Sequence, residues 1–262
     1  MDFQYMSDLH TEVSGSARVQ FAPAAPLLLL AGDIGQPGHP AYAELLDSAS
    51  RAYTHVFLIA GNHEFYHESI ESGEARLVAA SRGRHNVSYL QNQAIHLPNS
   101  DVSIFGGTFW TTIPQDEHLV CTRCIADYKL IKGFTPAHST RLHTEAVSAL
   151  EAALEESPGR RWVVLSHHMP KKALIAPRWA NYPAGAAFAS DIPVADDPRI
   201  VAWVYGHTHT GGVQGKFCCN PRGYPGENPP MTDRVLRIDS HTTEPKTTGA
   251  VKEEPIVASI YI

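Results

Sequence analysis

Histidines recur at a few defined points in this 262-residue sequence. The segments "VVLSHHMP" (163–170) and "VYGHTHTGG" (204–212) each join a short apolar run to a pair of histidines. Because histidine is costly to bury without a polar partner, imidazole pairs at the ends of apolar runs need a reason. One alternative is chance, since the chain contains 15 histidines. The other alternative is a metal site.

More oxygen and nitrogen donors follow other apolar runs. In chain order, these donors are Asp8 and His10, Asp33, Asn62 and His63, His167 and His168, and His207 and His209. In extended chain, residues i and i+2 project to the same side, so each Asp-x-His or His-x-His pair can point at one place. No thiolate belongs to the set. Carboxylate, imidazole and amide-oxygen donors suit Mn, Fe, Zn or Ni better than Ca or Mg alone.

The runs that carry these donors alternate with helical patterns. Continuous apolar stretches such as 27–30 and 56–59 suit strands that are covered on both faces. Residues 41–53 and 137–157 each place their apolar side chains on one helical stripe. The alternation predicts an α/β fold with sheet layers covered by helices. In such folds, polar groups at the carboxyl ends of strands converge on a ligand site.

Composition and charge limit the partners that we expect. The net charge is −6 with no run of Lys or Arg, so the basic footprint of a nucleic-acid binder is missing. The longest apolar block, "PLLLLAG", is too short to cross a bilayer, and the first residues show no basic targeting region. We therefore expect a soluble, cytoplasmic protein with no membrane partner. Its length predicts one domain over 1–262, with no indication of the oligomeric state.

Two stretches predict irregular structure. Residues 169–199, rich in Pro and Ala, read as a long surface excursion directly after His168. Residues 239–255 are polar and predict a loose loop, which precedes a strand-like "IVASIYI" at 256–262.

The ordered series of donors resembles a known family. Asp8-x-His10, Gly32-Asp33, Gly61-Asn62-His63-Glu64, His167 and Gly206-His207-x-His209 resemble the blocks of the calcineurin-like metallophosphoesterases. Shorter features, "GGTFWT", "DYKLI", "SHHMP" and "NPRGYPGE", are similar to a subgroup of stand-alone soluble phosphoesterases. The resemblance implies a four-layer αββα sandwich with two divalent metal ions at the strand ends.

Carried over position by position, the resemblance implies two metal sites. Their ligands would be Asp8, His10 and His209 for the first, Asn62, His167 and His207 for the second, with Asp33 bridging both. For the "HH" pair the resemblance favours His167 as the ligand and leaves His168 beside the phosphate, although the two roles could be exchanged.

The implied activity is hydrolysis of a small phosphomonoester or phosphodiester by a hydroxide that bridges the two metals. Asp33 would fix the metal separation, and His63 would protonate or steady the leaving oxygen. The alternative for His63 is a histidine that only orients a ligand. We expect Asn62, His168 and Arg178 to contact the substrate.

One departure from the family narrows the substrate. The second block of the protein phosphatases of this superfamily carries an arginine that is absent from "GDIGQPG" here. Folded phosphoproteins are therefore not the expected substrates. The alternative function is a catalytically weak, metal-binding scaffold protein of the same fold.

Residues outside the ligand set leave two interpretations open. Asp127 and Tyr128 either turn toward the site or begin a helix and pack in the core. Tyr182 could meet the leaving group of the substrate. Arg222 and Tyr224, in "NPRGYPG", either reach the substrate or stabilise a turn.

Overall fold

The computed structural model describes residues 1–13, 19–227, 234–239 and 246–248. Its strands are β1 (Asp2–Met6), β2 (Leu27–Ala31), β3 (His55–Ile59), β4 (Val87–Tyr89), β5 (Gln93–His96), β6 (Val102–Gly106), β7 (Arg161–Leu165), β8 (Ile200–Tyr205), β9 (Gly212–Gln214), β10 (Phe217–Cys219), β11 (Val235–Arg237) and β12 (Lys246–Thr248). Its helices are α1 (Pro40–Ala52), α2 (Ile70–Arg82), α3 (His118–Cys124), α4 (Asp127–Leu130) and α5 (Pro136–Glu156).

The strands form two six-stranded sheets. The first has the order β12-β11-β1-β2-β3-β4, and the second has the order β5-β6-β7-β8-β10-β9. Strands β1 to β4 run parallel in the first sheet, as do β6, β7, β8 and β10 in the second. Because the carboxyl ends of parallel strands meet at one edge, the loops that follow β1, β2 and β3 lie side by side, as do those after β7 and β8.

The two sheets face each other across an apolar core. Phe3, Leu29 and Phe57 enter it from the first sheet, and Val163 and Val204 enter it from the second. The next residue along each of these strands points the other way, as strand geometry requires. Each sheet therefore has a second apolar face that must be covered.

Helices cover both outer faces. Leu28 and Leu30 of the first sheet pack with Leu46 of α1 and Leu77 of α2. Trp162 of the second sheet packs in one core with Ala146, Leu150 and Leu154 on the buried side of α5. The layer order is helix, sheet, sheet, helix, which confirms the predicted four-layer αββα sandwich.

The two predicted helices form within one residue of their expected bounds. α1 begins at Pro40 after His39, whose ring accepts a hydrogen bond from the N–H of Ala41. α5 begins at Pro136 after Thr135, whose side chain accepts a hydrogen bond from the N–H of His138. A proline in the first turn fits because its missing N–H has no partner there in any helix. In the described part of the chain, no helix is long and apolar enough to cross a bilayer.

Helix α2 was not predicted, because its buried face is only partly apolar. That face consists of Ile70, Gly73, Leu77 and Ser81. Gly73 lies against Phe65, and a Cβ added there would come within 2.5 Å of the Phe65 ring. A glycine in a helix interior costs about 1 kcal/mol relative to alanine, so Gly73 weakens the helical signal of this segment.

The prediction of a surface excursion over 169–199 holds only for part of the segment, because 172–173, 177–178 and 180–181 are exposed whereas most of 184–195 is not. This segment contains four short 3₁₀ turns, at 172–174, 177–179, 185–187 and 193–196. Between them, Phe188, Ala189 and Ile192 are buried in the core beneath the second sheet. The short turns satisfy the backbone while small alanines allow close packing, so a Pro- and Ala-rich segment becomes part of the interior.

Most of the predicted loose loop 239–255 and the strand-like segment 256–262 lie outside the described residues. Within 239–255, Lys246–Thr248 forms strand β12, which pairs antiparallel with β11 at the edge of the first sheet.

Candidate metal centre

The predicted donors meet at the carboxyl ends of strands from both sheets. Those from the loops after β1, β2 and β3 are Asp8, His10, Asp33, Asn62 and His63. Those from the loops after β7 and β8 are His167, His168, His207 and His209. The site therefore lies where the edges of the two sheets come together.

The backbone is strained at these residues. In the described chain, nine non-glycine residues have a positive φ, and five of them are predicted metal ligands: Asp8, His10, Asp33, His207 and His209. A non-glycine residue in this region costs on the order of 1–3 kcal/mol and persists only where its surroundings hold it. The strain turns the chain sharply at the strand ends, which keeps the donors on the sheet edge. Its concentration here supports a functional role for these turns.

The first group of donors consists of Asp8, His10 and His209. The Nε2 atoms of His10 and His209 are 3.0 Å apart, and Nε2 of His209 is 3.5 Å from Oδ1 of Asp8. One donor atom from each of the three lies within 4.8 Å of the other two. These are the three ligands that the sequence assigned to the first metal.

The second group surrounds His167. Its Nε2 lies 3.0 Å from Oδ1 of Asn62 and 3.3 Å from Oδ2 of Asp33. Asp8, Asp33 and His167 also form a cluster that could hold a metal ion. Oδ2 of Asp33 is in turn 3.8 Å from Nε2 of His10, so Asp33 lies between the two groups.

His207 completes the second group less directly. Its ring centre is 5.1 Å from that of His167 and 4.3 Å from that of His168. Its backbone N–H donates to Oδ1 of Asp8 at 2.9 Å. The structure therefore brings His207 beside His167, and its main chain fixes one of the first group's carboxylates.

The outer nitrogen of each of three ligand histidines is held from behind. Nδ1 of His10 lies 3.3 Å from Oε1 of Glu12, and Nδ1 of His209 lies 2.6 Å from Oε2 of Glu227. Nδ1 of His167 lies 3.0 Å from the carbonyl oxygen of Ala31. Carboxylates and carbonyls can only accept, so each Nδ1 carries a hydrogen and Nε2 is the nitrogen that faces the site. Burial lowers the pKa of His167, but the Asp33 carboxylate outweighs it and raises the pKa to about 10, so a metal ion would have to displace the Nε2 proton of His167.

This donor set fits divalent metal ions. Two ligands that each lie about 2.0–2.1 Å from one cation, about 90° apart, are about 3.0 Å from each other. The spacings of 3.0 Å between His10 and His209 and 3.0 Å between His167 and Asn62 match that value. A proton on one of the two atoms would hold each pair at the same distance, so the spacing is compatible with either a proton or a metal ion. The acceptors behind the Nδ1 atoms are typical of metal-bound histidines.

Charge leads to the same conclusion. Asp8 and Asp33 are 0% and 2% exposed, and a buried carboxylate needs a compensating positive charge. Burial alone would raise the pKa of Asp33, but the imidazoles of His167 and His63 lower it well below its usual range. Asp33 is therefore ionised at neutral pH and available to a cation.

His63 lies beside the metal ligands with one nitrogen turned outward and one inward. Its Nδ1 is 2.9 Å from Oε1 of Glu12, and its Nε2 is 3.3 Å from the Tyr224 hydroxyl and 3.9 Å from Oδ2 of Asp33. Burial lowers the pKa of His63, but the carboxylates of Asp33 and Glu12 outweigh it and raise the pKa to about 9. Bound cations would oppose that rise.

Asn62 is oriented by a buried carboxylate. Its Nδ2 donates to Oδ1 of Asp127 at 2.8 Å, and the Tyr66 hydroxyl donates to the same oxygen at 2.8 Å. The amide oxygen of Asn62 therefore faces His167. Asp127 is both the first residue of α4 and a partner of the site, so the two interpretations left open by the sequence both hold. Tyr128 instead stacks on Phe134 in the core.

His168, predicted to contact the substrate, is buried at 2% exposure. Its Nδ1 is 3.4 Å from the carbonyl oxygen of Thr108, and its ring packs on Trp110. Burial, together with the neighbouring His167, lowers the pKa of His168 to about 3, so its ring is neutral. The ring of His168 packs against that of His207, with the ring centres 4.3 Å apart. Asn62 and Asp33 contact Nε2 of His167 instead.

Arg178, also predicted to contact the substrate, reaches back to the His-x-His loop. One of its terminal nitrogens donates to the carbonyl oxygens of Thr208 and His209 and to the Thr210 hydroxyl. Its guanidinium also lies over the Trp179 ring. In this arrangement Arg178 braces the turn that carries two ligand histidines.

The remaining open residues divide between site and support. The Tyr224 ring packs against His10 and His209, so it borders the first group of donors. Arg222 donates to the carbonyl oxygen of Leu9 at 3.4 Å, which fits the turn-stabilising interpretation. Tyr182 packs on Phe188 in the core beneath the second sheet.

The sequence alone assigned no role to three carboxylates that contact the site. Glu12 and Glu227 hold histidine rings, and Glu64 accepts hydrogen bonds from the backbone of Gly61, Asp33 and Ile34. Burial and the nearby Asp33 carboxylate raise the pKa of Glu64 to about 8, while these N–H bonds favour its ionised form. Glu12 continues the i, i+2 series from His10, which is the signal that the sequence offered.

Comparisons with known proteins fit this geometry. The family model described as calcineurin-like phosphoesterase matches residues 5–211. The chain is 27% identical over 202 residues to an uncharacterised protein, L509, of Acanthamoeba polyphaga mimivirus, covering 70% of this chain and 71% of the viral protein.

Two solved structures are similar in fold. The phosphopantetheinyl hydrolase of Mycobacterium tuberculosis has a TM-score of 0.67 and 20% identity, covering 86% of this chain and 90% of its own. A putative 5′-nucleotidase from Staphylococcus aureus has a TM-score of 0.53 and 14% identity, covering 98% of this chain and 56% of its own. Because the matched range 5–211 contains every candidate ligand from Asp8 to His209, the chain belongs to the calcineurin-like phosphoesterase family.

Proposed function

We propose that this protein is a metal-dependent phosphoesterase that hydrolyses small phosphomonoesters or phosphodiesters. The observation that carries the proposal is the pair of donor groups joined by Asp33, in which His10, His209 and His167 are each held with Nε2 facing inward. A metal-binding scaffold would need the same ligands, but it would have no use for His63 beside them, whose Nε2 is 3.9 Å from Oδ2 of Asp33.

Two divalent ions fit the proposal. One would be held by Asp8, His10 and His209, the other by Asn62, His167 and His207, with Asp33 shared. Bound there, they would lower the pKa of a coordinated water and neutralise charge on the phosphate. The nitrogen and oxygen donors favour Mn, Fe, Zn or Ni.

The chain itself would supply orientation and a proton. Oδ1 of Asp33 accepts the backbone N–H of His63 at 2.9 Å, which ties this histidine to the ligand set. Nε2 of His63 would give its proton to the leaving oxygen as the ester bond breaks, a step that contributes about 10²–10⁴ in rate when the acid is well placed. Tyr66 packs on the His63 ring at 4.3 Å and keeps it from turning.

The proposed substrate class follows from the net charge of the chain. The net charge of −6 opposes the phosphate backbone of a nucleic acid, so a small phosphate ester is favoured. The name of the Mycobacterium tuberculosis neighbour makes a phosphopantetheinyl compound worth testing beside simpler esters.

The test is a panel of esters with the purified chain and added Mn²⁺, Ni²⁺ or Zn²⁺. We expect turnover of p-nitrophenyl phosphate, of bis-p-nitrophenyl phosphate or of both, and none after chelation. The ratio of the two rates distinguishes a monoesterase from a diesterase. Equal rates with and without chelator would contradict the metal dependence, and a DNA gel shift at low salt should be negative.

A further inference from the structure

Glu12 contacts two histidines with one oxygen atom. Its Oε1 is 2.9 Å from Nδ1 of His63 and 3.3 Å from Nδ1 of His10. The Glu12 side chain is 9% exposed. One buried carboxylate therefore joins a ligand of the first group to the histidine beside the leaving-group position.

The main chain holds Glu12 in place. Before it, the N–H groups of His10 and Thr11 donate to the carbonyl oxygens of Asp33 and Ile34 at 3.0 and 3.1 Å. After it, the N–H of Val13 donates back to the carbonyl oxygen of His10 at 3.1 Å. This turn is thus bound to the loop that carries Asp33, and it leaves the Glu12 carboxylate little freedom.

The contact fixes the tautomer of both rings. A carboxylate only accepts, so His10 and His63 must each carry a hydrogen on Nδ1. His10 then offers its Nε2 lone pair to a metal. In His63 the hydrogen on Nδ1 stays with Glu12, and Nε2 is the nitrogen that can hold and release a proton toward the substrate.

We propose that Glu12 is a positioning residue that aligns Nε2 of His63 with the leaving oxygen while it holds His10 for the metal. This inference rests on the proposed phosphoesterase function. In the step, water adds to phosphorus and loses a proton, the ester P–O bond breaks, and the leaving oxygen takes the proton from Nε2 of His63. The proton on Nδ1 does not move, and His63 regains the Nε2 proton from solvent.

Glu227 provides a matched control. It holds Nδ1 of His209 at 2.6 Å in the way that Glu12 holds His10, and among the described contacts it does not reach His63. Substitution of either glutamate should therefore disturb a metal ligand. Glu227 is linked to His63 only through Tyr224, whose N–H it accepts at 2.8 Å and whose hydroxyl is 3.3 Å from Nε2 of His63. A glutamine at 227 can still accept that N–H, so only substitution of Glu12 should also disturb the proton donor directly.

The experiment compares Glu12→Gln and Glu227→Gln with the wild type over a Mn²⁺ titration that ends at saturation, where kcat is measured. The phenolate released from phenyl phosphate needs a proton as it leaves, whereas the p-nitrophenolate released from p-nitrophenyl phosphate is a stable anion that does not. For Glu12→Gln we expect kcat to fall about 10–100-fold with phenyl phosphate but less than about 3-fold with p-nitrophenyl phosphate. For Glu227→Gln we expect the two substrates to be affected equally, with recovery as metal is added.

A second readout does not depend on turnover. In metal-free, ¹⁵N-labelled protein, imidazole NMR should show His63 and His10 with hydrogen on Nδ1, and Glu12→Gln should lose that pattern for His63 while Glu227→Gln keeps it. Equal losses with both esters, or an unchanged His63 pattern in Glu12→Gln, would overturn the inference. If the wild type hydrolyses no ester, the proposed function fails, and the NMR comparison still decides whether Glu12 holds His63.

Discussion

At the scale of the residue, the site depends on glycines as much as on ligands. Gly61 precedes Asn62, and its N–H donates to Oε2 of Glu64 at 2.7 Å. A Cβ at Gly61 would lie 2.2 Å from Oδ1 of Asp33 and 2.6 Å from the Asp33 nitrogen. There is thus no room for a methyl group between the loops that follow β2 and β3.

We therefore expect Gly61→Ala to displace Asp33. The variant should bind Mn²⁺ about 10–100-fold more weakly, by analogy with other changes behind metal ligands. It should also lose about 1–3 kcal/mol of unfolding free energy from overpacking. Calorimetric metal titration and urea unfolding measure the two effects.

Gly159→Ala is the control, because a Cβ there meets no atom within 4 Å. It should change the unfolding free energy by less than about 0.5 kcal/mol and leave metal affinity unaltered. Equal metal affinities in the two variants would contradict the role assigned to Gly61.

Residue types and spacing indicated the donors, and the family resemblance divided them into two ligand sets, but neither indicated the side chains that support them. His10 and His209 were found through their i, i+2 partners. The carboxylate behind His209 is Glu227, which lies 18 positions further on, and no local pattern links the two residues. The orientation of the Arg178 side chain toward the Thr208 carbonyl likewise depends on tertiary contacts that a sequence does not display.

At the scale of the element, helix α5 braces the loop that supports His168. His143 lies 2.7 Å from the carbonyl oxygen of Trp110 through Nδ1, and the Ser139 hydroxyl donates to the carbonyl oxygen of Thr111 at 2.8 Å. Trp110 in turn packs on His168. The buried face of α5 thus reaches the site through hydrogen bonds as well as apolar contacts.

His143 should make this contact sensitive to acid. Burial lowers the pKa of His143, although its bond to Trp110 opposes the shift. A lowered folded-state pKa means that the stabilisation is present above the unfolded value, about 6.5, and is lost as the pH falls below it. We expect the stability advantage of the wild type over His143→Gln to shrink between pH 7.5 and 5.5, by at most about 1.4 kcal/mol per pH unit.

Chemical denaturation of the wild type and of His143→Gln across that pH range measures the difference in unfolding free energy. The contributions of other titrating groups are shared by the two proteins and cancel in the difference. A difference that stays constant across this pH range would contradict the assignment.

Strand and helix periodicity predicted the elements that bury a continuous apolar pattern. β2 and β3 are covered on both faces and read as unbroken apolar runs, and α1 and α5 carry clear stripes. The buried part of 169–199 was misassigned because short 3₁₀ turns have no periodic signal. Its burial comes from packing against the second sheet, which the local sequence does not encode.

At the scale of the whole molecule, the metal centre depends on the assembly of both sheets. Asp8, Asp33 and Asn62 come from the first sheet, whereas His167 and His207 come from the second. Each of the two proposed ligand groups combines residues from both sheets, although His10, Asp33 and His63 of the first sheet form a further cluster that could hold an ion. Local sequence patterns could not predict this arrangement, because the packing of the two sheets depends on contacts between residues far apart in the chain. It was expected only from the family resemblance.

The most direct test is a Mn²⁺ titration of p-nitrophenyl ester hydrolysis by the wild type and by Asp33→Asn, with bound metal measured in the same samples. Asp33 lies between the two donor groups, with Oδ2 3.3 Å from His167 and 3.8 Å from His10. We predict that wild-type turnover rises with Mn²⁺ and saturates at two ions per chain. We also predict that Asp33→Asn loses at least about 100-fold in kcat. A folded wild type that binds two ions and hydrolyses no ester with any metal would contradict the proposed catalysis and support a metal-binding scaffold.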